Sequence, residues 1–111
     1  DVYEAINKGP GALTGEEVKF LRFKLTQDYE ALVKRMNNNL NAIFLAHNLF
    51  REVLNAYFKL NNLWVPREKK MLTWIKKGNP DLYTLCVNFL DENRLQKKLS
   101  ILENMIKYVL N

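Results

Sequence analysis

Apolar side chains return every three or four positions from Val18 almost to the end of the chain, at Val109. That spacing lines them along one side of an α-helix and does not suit a strand, whose faces alternate at every residue. Thr14 stands three residues before Glu17, the capping-box pattern of a helix start. Val18, Leu21, Leu25, Tyr29, Leu32 and Met36 then predict one apolar stripe on a helix of about 22 residues. Asn37-Asn38-Asn39 has poor helix propensity and predicts a break or kink, although no Gly or Pro forbids a continuous helix there. Leu40, Ile43, Phe44, His47, Phe50, Leu54, Tyr57 and Phe58 predict a second long helix, ending near Asn61 or Asn62 and closed by Val65-Pro66.

Three shorter helices follow. Pro66 suits the first position of the third, with Met71, Leu72, Trp74 and Ile75 as its apolar face and Lys76-Lys77-Gly78 as its end. Asn79-Pro80 repeats the start signal for the fourth, lined by Leu82, Leu85, Cys86, Phe89 and Leu90. Asn93 is the expected cap of the fifth, whose stripe is Leu95, Leu99, Leu102, Met105 or Ile106, and Val109. The expected fold is all-α: a compact bundle of about five helices, two long and then three shorter. A chain of 111 residues suits a single core. Gly9-Pro10-Gly11 makes residues 1–13 an N-terminal linker or short turn, leaving residues 14–111 as one helical domain. The opening residues read like a linker entering a domain, which predicts that the chain is a piece of something longer.

Several function classes are disfavoured. No apolar run approaches the ~20 residues that cross a bilayer, so no membrane role is expected. The single cysteine, Cys86, cannot form an internal disulfide; its apolar neighbours predict a buried thiol, and a cytoplasmic setting fits. One His and one Cys cannot supply a three- or four-ligand transition-metal site of the usual type, and the four glycines build no phosphate loop, so neither metal nor cofactor is expected. Self-contained catalysis is not expected. His47 falls on the apolar stripe of the second helix, where it reads as a core-edge histidine or as a ligand-facing group beside Arg51.

Charge is unevenly placed. Residues 1–55 carry seven Lys/Arg and seven Asp/Glu, whereas residues 56–111 carry ten and five, so the whole net charge of +5 lies in the second half. The segment Asn61 to Lys77 concentrates Arg67, Lys69, Lys70, Lys76 and Lys77 with both tryptophans. Cations at this density can meet phosphate or an acidic surface, and Trp64, at an interhelix junction, can either stack on a base or anchor core. Trp74, among Met71, Leu72 and Ile75, reads as core.

The run Leu54-Asn55-Ala56-Tyr57-Phe58-Lys59-Leu60-Asn61-Asn62-Leu63-Trp64-Val65-Pro66-Arg67-Glu68-Lys69-Lys70 resembles the helical C-terminal domain of bacterial and archaeal nucleotidyltransferase-like proteins related to kanamycin nucleotidyltransferase. There a helix ends in Leu-Asn and is followed by an aromatic, a proline and a lysine. The likeness covers about 25 residues around this run and, loosely, the all-helical plan of the rest. It implies a substrate-binding accessory domain working beside a catalytic nucleotidyltransferase domain, with Asn61, Trp64, Pro66, Lys69 and Lys70 at the matching positions. The Gly-Ser and Asp-x-Asp elements of that catalytic half do not occur here. The expected binding residues are therefore Asn61, Trp64, Arg67, Lys69, Lys70, Lys76 and Lys77, with His47 as an outlying candidate. The expected ligand is a nucleotide or an acidic partner surface. Two alternatives stay open: an interaction module, conceivably homodimeric through the long second helix, and non-specific nucleic-acid binding through the basic patch.

Overall fold

A computed structural model describes residues 9–111. Among them five helices form and no strand: α1 Gly15–Lys34, α2 Asn39–Leu60, α3 Glu68–Gly78, α4 Pro80–Asp91 and α5 Leu95–Leu110. The all-α bundle of two long and three shorter helices is thus observed. Residues 1–8 of the expected linker lie outside the described residues, and residues 9–14 run without helix into α1.

Local chemistry explains most boundaries. Thr14 Oγ1 accepts from the Glu17 amide at 3.1 Å while Glu17 Oε1 accepts from the Thr14 amide at 3.0 Å, so the predicted capping box is complete. The bond from Thr14 holds the Glu17 carboxyl below its ordinary pKa. The asparagine run does break the chain: a turn over 35–38 separates α1 from α2, and Asn38 caps α2 by accepting from the Asn41 amide at 3.3 Å. α2 ends in a Schellman turn, with Leu63 N–H on Phe58 O at 2.8 Å and Asn62 N–H on Lys59 O at 3.2 Å. Asn62 takes the left-handed conformation this turn needs, with φ of 55°, a role asparagine tolerates better than most residues. Its side-chain Oδ1 also accepts from the Gly11 amide at 2.7 Å, tying the entering chain to this turn. Gly9 packs so closely that any Cβ there would collide with the Asn62 carbonyl.

Two expected starts shift. α3 begins at Glu68 with Arg67 as its cap, not at Pro66, because the backbone from Leu63 to Arg67 stays non-helical as it crosses from the end of α2. α5 is capped by Arg94, not Asn93. The Glu92 carboxylate accepts from the Arg94 amide at 2.9 Å and closes the turn that an Asn93 side chain was expected to close. The Asn79-Pro80 start of α4 holds, with Asn79 Oδ1 accepting from the Leu82 amide at 3.0 Å.

α1, α2 and α5 pack against one another; α4 lies on α5 and α3 on α4. Leu25, Leu32, Val53, Leu54, Ile75, Leu82, Cys86, Phe89, Leu102 and Met105 fill the shared core. A polar contact secures almost every junction. Arg22 donates to Leu110 O at the end of α5 (2.7 Å), Lys24 pairs with Glu52 (3.2 Å), and Arg51 pairs with Glu68 (2.9 Å). Tyr108 donates to Asn79 Oδ1 at 2.8 Å. The expected stripe of α2 needs one correction: Leu40 is 82% and Phe44 66% exposed, while Ala42 and Ala46 are fully buried. The two alanines let neighbouring helices approach the backbone, so the first turns of α2 enter the bundle on their small-residue side. No helix among the described residues is long and apolar enough to cross a membrane.

Candidate functional site

The amphipathic pattern of α3 decides where the cations go. Met71 and Ile75 are buried, which turns Lys69, Lys70, Thr73, Lys76 and Lys77 to solvent along the other side of the helix. Lys69 to Lys77 spans two turns, roughly 12 Å at the helical rise. Arg67 caps the helix through its backbone alone, leaving its exposed guanidinium outside the cap. Among the described residues none of these five cations lies within salt-bridge distance of a carboxylate, because Glu68, the acid of this helix, is paired with Arg51. Lys76 Nζ sits 5.5 Å from the Tyr83 ring centre and Lys77 Nζ 5.5 Å from that of Trp74. These cation–π contacts hold the two ammonium groups along the face without neutralising them. Five of the eight sequence-predicted residues thus share one element.

The other three divide. Trp64 stands three residues before Arg67 and is 54% exposed, so it is not a core anchor; Trp74 is half-buried against the core, as expected. Asn61 does not join the cations. Its Nδ2 donates to Tyr57 O at 2.7 Å, and it lines a separate polar depression of about 580 Å³ with Asn79, Lys107 and Tyr108. His47 is also apart, sharing a depression with Glu68, Met71 and Leu72, on the side of α3 turned away from the lysines. Its ring rests on Phe89 with centres 5.2 Å apart, the core-edge placement.

Burial first, and then the charges of Lys98 and Arg51, hold the His47 pKa below its ordinary value. The unfolded chain therefore binds more protons on this group around and just below pH 6.5, and the stability it contributes is complete above that pH and lost as the pH falls. Replacing His47 with Gln is expected to flatten the stability profile between about pH 7.5 and 5.5. Thermal unfolding across that range measures it, and an unchanged slope would contradict the assignment.

Lys98 was missed by sequence reasoning. Only 6% exposed, it donates from Nζ to Phe89 O at 2.7 Å and lies 4.4 Å from the Phe89 ring centre. The contact places a cation on a last-turn carbonyl of α4, where the helix dipole is negative. The helical repeat was the available signal, since Lys98 stands three residues after Leu95 and four before Leu102 on the apolar side of α5 while Lys97 does not, and the docking of α5 on α4 then sets it on Phe89. Cys86 is fully buried, and burial pushes its thiol up to about 12, so it is no nucleophile at neutral pH. Among the described residues no three His, Cys, Asp or Glu side chains converge on a metal-sized site. A further depression, about 570 Å³, lies between α1 and α2 beside Phe20, Leu21 and Asn55, and also went unforeseen. Comparison with protein-family models, with curated proteins and with solved structures gives no match.

Proposed function

We propose that this chain is a non-catalytic helical accessory domain that binds an anionic substrate or partner through α3, as its likeness to the C-terminal domain of nucleotidyltransferase-like proteins implies. One observation carries the reading. Arg67, Lys69, Lys70, Lys76 and Lys77 line the exposed side of one short helix with no carboxylate of the described residues in salt-bridge range. Cations spaced over two turns of a rigid rod have their backbone ordered in advance, so only side-chain freedom is lost on meeting several phosphate or carboxylate oxygens at once. Trp64 supplies a flat apolar surface beside Arg67 for a base or sugar. A catalytic nucleotidyltransferase domain is the partner this reading calls for, and its lone buried thiol is in keeping with a cytoplasmic setting.

Lys69→Glu with Lys70→Glu is expected to weaken binding of a nucleoside triphosphate at least tenfold and to lower its salt dependence. Both sites are exposed, so the melting temperature should barely move. Titration of a fluorescent nucleotide and of a labelled single-stranded oligonucleotide reads the result. Nucleotide binding alone supports the accessory role, and tighter oligonucleotide binding shifts the reading to a nucleic-acid module. Equal affinity of the double variant and the parent for either anion would remove α3 from the site.

A further inference from the structure

α2 carries an apolar stripe that the bundle leaves uncovered. Leu40 and Phe44, four residues apart on one side of the helix, are 82% and 66% exposed, and Leu90 of α4 adds a third apolar side chain at 41%. Phe44 stands between two depressions. One, about 560 Å³, is lined by Arg35, Asn38 and Asn41; the other, about 400 Å³, by His47, Arg51, Met71 and Leu90. A raised aromatic ring with a hollow on either side suits interdigitation with the side chains of another helix, whose ridges would occupy the two hollows.

The charges around the stripe indicate what that helix is. The side chain of Arg35 has no carboxylate within 4.0 Å among the described residues. The first turn of α2 contains no acid, so the positive end of its dipole adds to Arg35. At the other end Arg51 lines the second hollow, where its charge is met by Glu68 at 2.9 Å, the only acid lining either hollow among the described residues. Asp91 follows Leu90 at the far rim. The surface is therefore apolar along its middle and positive at the Arg35 end. A second copy offers less: laid antiparallel along the stripe it sets Arg35 of each chain against the Arg51–Glu68 pair of the other, whose carboxylate is already taken.

We propose that the Leu40–Phe44–Leu90 surface is a docking groove for an amphipathic helix of an acidic partner protein. Apolar side chains of that helix at i, i+3 and i+4 seat on Leu40, Phe44 and Leu90, and carboxylates at one end meet Arg35 and the start of α2. The site is independent of the α3 face, whose lysines point from a different element.

A fluorescein-labelled synthetic helical peptide of roughly 18 residues, with a leucine stripe and glutamate flanks, serves as the probe. Fluorescence anisotropy should show saturable binding that weakens as salt rises. Phe44→Ala should weaken it about tenfold or more, as expected for a central anchor. Arg35→Glu should weaken it and remove most of the salt dependence, while Lys69→Glu with Lys70→Glu should leave it unchanged. Both Phe44 and Arg35 are exposed, and circular dichroism confirms that each variant stays folded. No binding, equal binding of a peptide with lysine flanks, or indifference to Phe44→Ala each overturns the proposal. So does a concentration-dependent dimer in sedimentation that Phe44→Glu abolishes, because the groove then belongs to a second copy of the chain.

Discussion

Phe89→Ala is expected to lower the unfolding free energy by about 3–5 kcal/mol, the usual range for removing a buried phenyl ring. The ring is fully buried. It stacks on Phe50 with centres 4.6 Å apart and planes within 6° of parallel, touches His47 at 5.2 Å, and carries the Lys98 ammonium 4.4 Å from its centre. Truncation would open a cavity where α2, α4 and α5 meet and leave a buried ammonium without its aromatic face, two losses that add in the same direction. Small domains hold only about 5–15 kcal/mol in total, so a change of this size pulls the variant close to its unfolding threshold. Urea unfolding followed by far-ultraviolet circular dichroism measures the loss. Phe89→Leu, which keeps most of the volume, should lose markedly less, and a cost for Phe89→Ala below about 1 kcal/mol would mean the ring is not the keystone of this junction.

Lys98→Glu is expected to cost about 3–5 kcal/mol at neutral pH, comparable to leaving a buried charge without its partner. It would replace a donor on the Phe89 carbonyl with a carboxylate facing that carbonyl, at the negative end of α4. Lys98→Met keeps the aliphatic stem and loses the 2.7 Å hydrogen bond, so its cost should be smaller, about 1–3 kcal/mol. The pH response separates charge from shape. A carboxyl in this setting favours its protonated form, so the native state of the glutamate variant takes up a proton at higher pH than the unfolded chain does. Its deficit relative to the parent should therefore narrow as the pH falls toward the carboxylate range, whereas the methionine deficit should not narrow through this group. The same unfolding series at two pH values tests both. The parent lysine is itself disfavoured as a cation by burial, which holds its pKa below the ordinary value, and only the nearby Glu92 opposes that shift.

The candidate site was legible where one element carries it. Lys69, Lys70, Lys76 and Lys77 alternate with Met71 and Ile75, and helical geometry alone then sends the two groups to opposite sides. It was not legible where two or more elements meet. Asn61 and His47 were grouped with the lysines because they carry polar groups near the same segment or on a shared stripe, yet one closes its own helix and the other rests on Phe89. Leu40 and Phe44 repeat with the period of the core and still face solvent. Periodicity registers that a helix has an apolar side, but when alanines at 42 and 46 form a second, smaller apolar stripe it cannot rank the two.

From its residues alone, which left the asparagines ahead of α2 open to a break or a continuous helix, this chain was bound to be helical, to start α1 at Thr14 and α4 at Asn79, and to show an unbalanced row of cations along α3. Those outcomes depend on interactions within about one helical turn, where backbone hydrogen bonding, side-chain caps and the 3.6-residue repeat act without reference to distant chain. Which side of α2 faces the core, that the Lys98 ammonium meets the Phe89 carbonyl and ring, and which phenylalanines remain at the surface were decided only when α1, α4 and α5 packed on their neighbours. Burial depends on the shape of what arrives from elsewhere in the chain, and the order of residues along one helix holds no record of that shape.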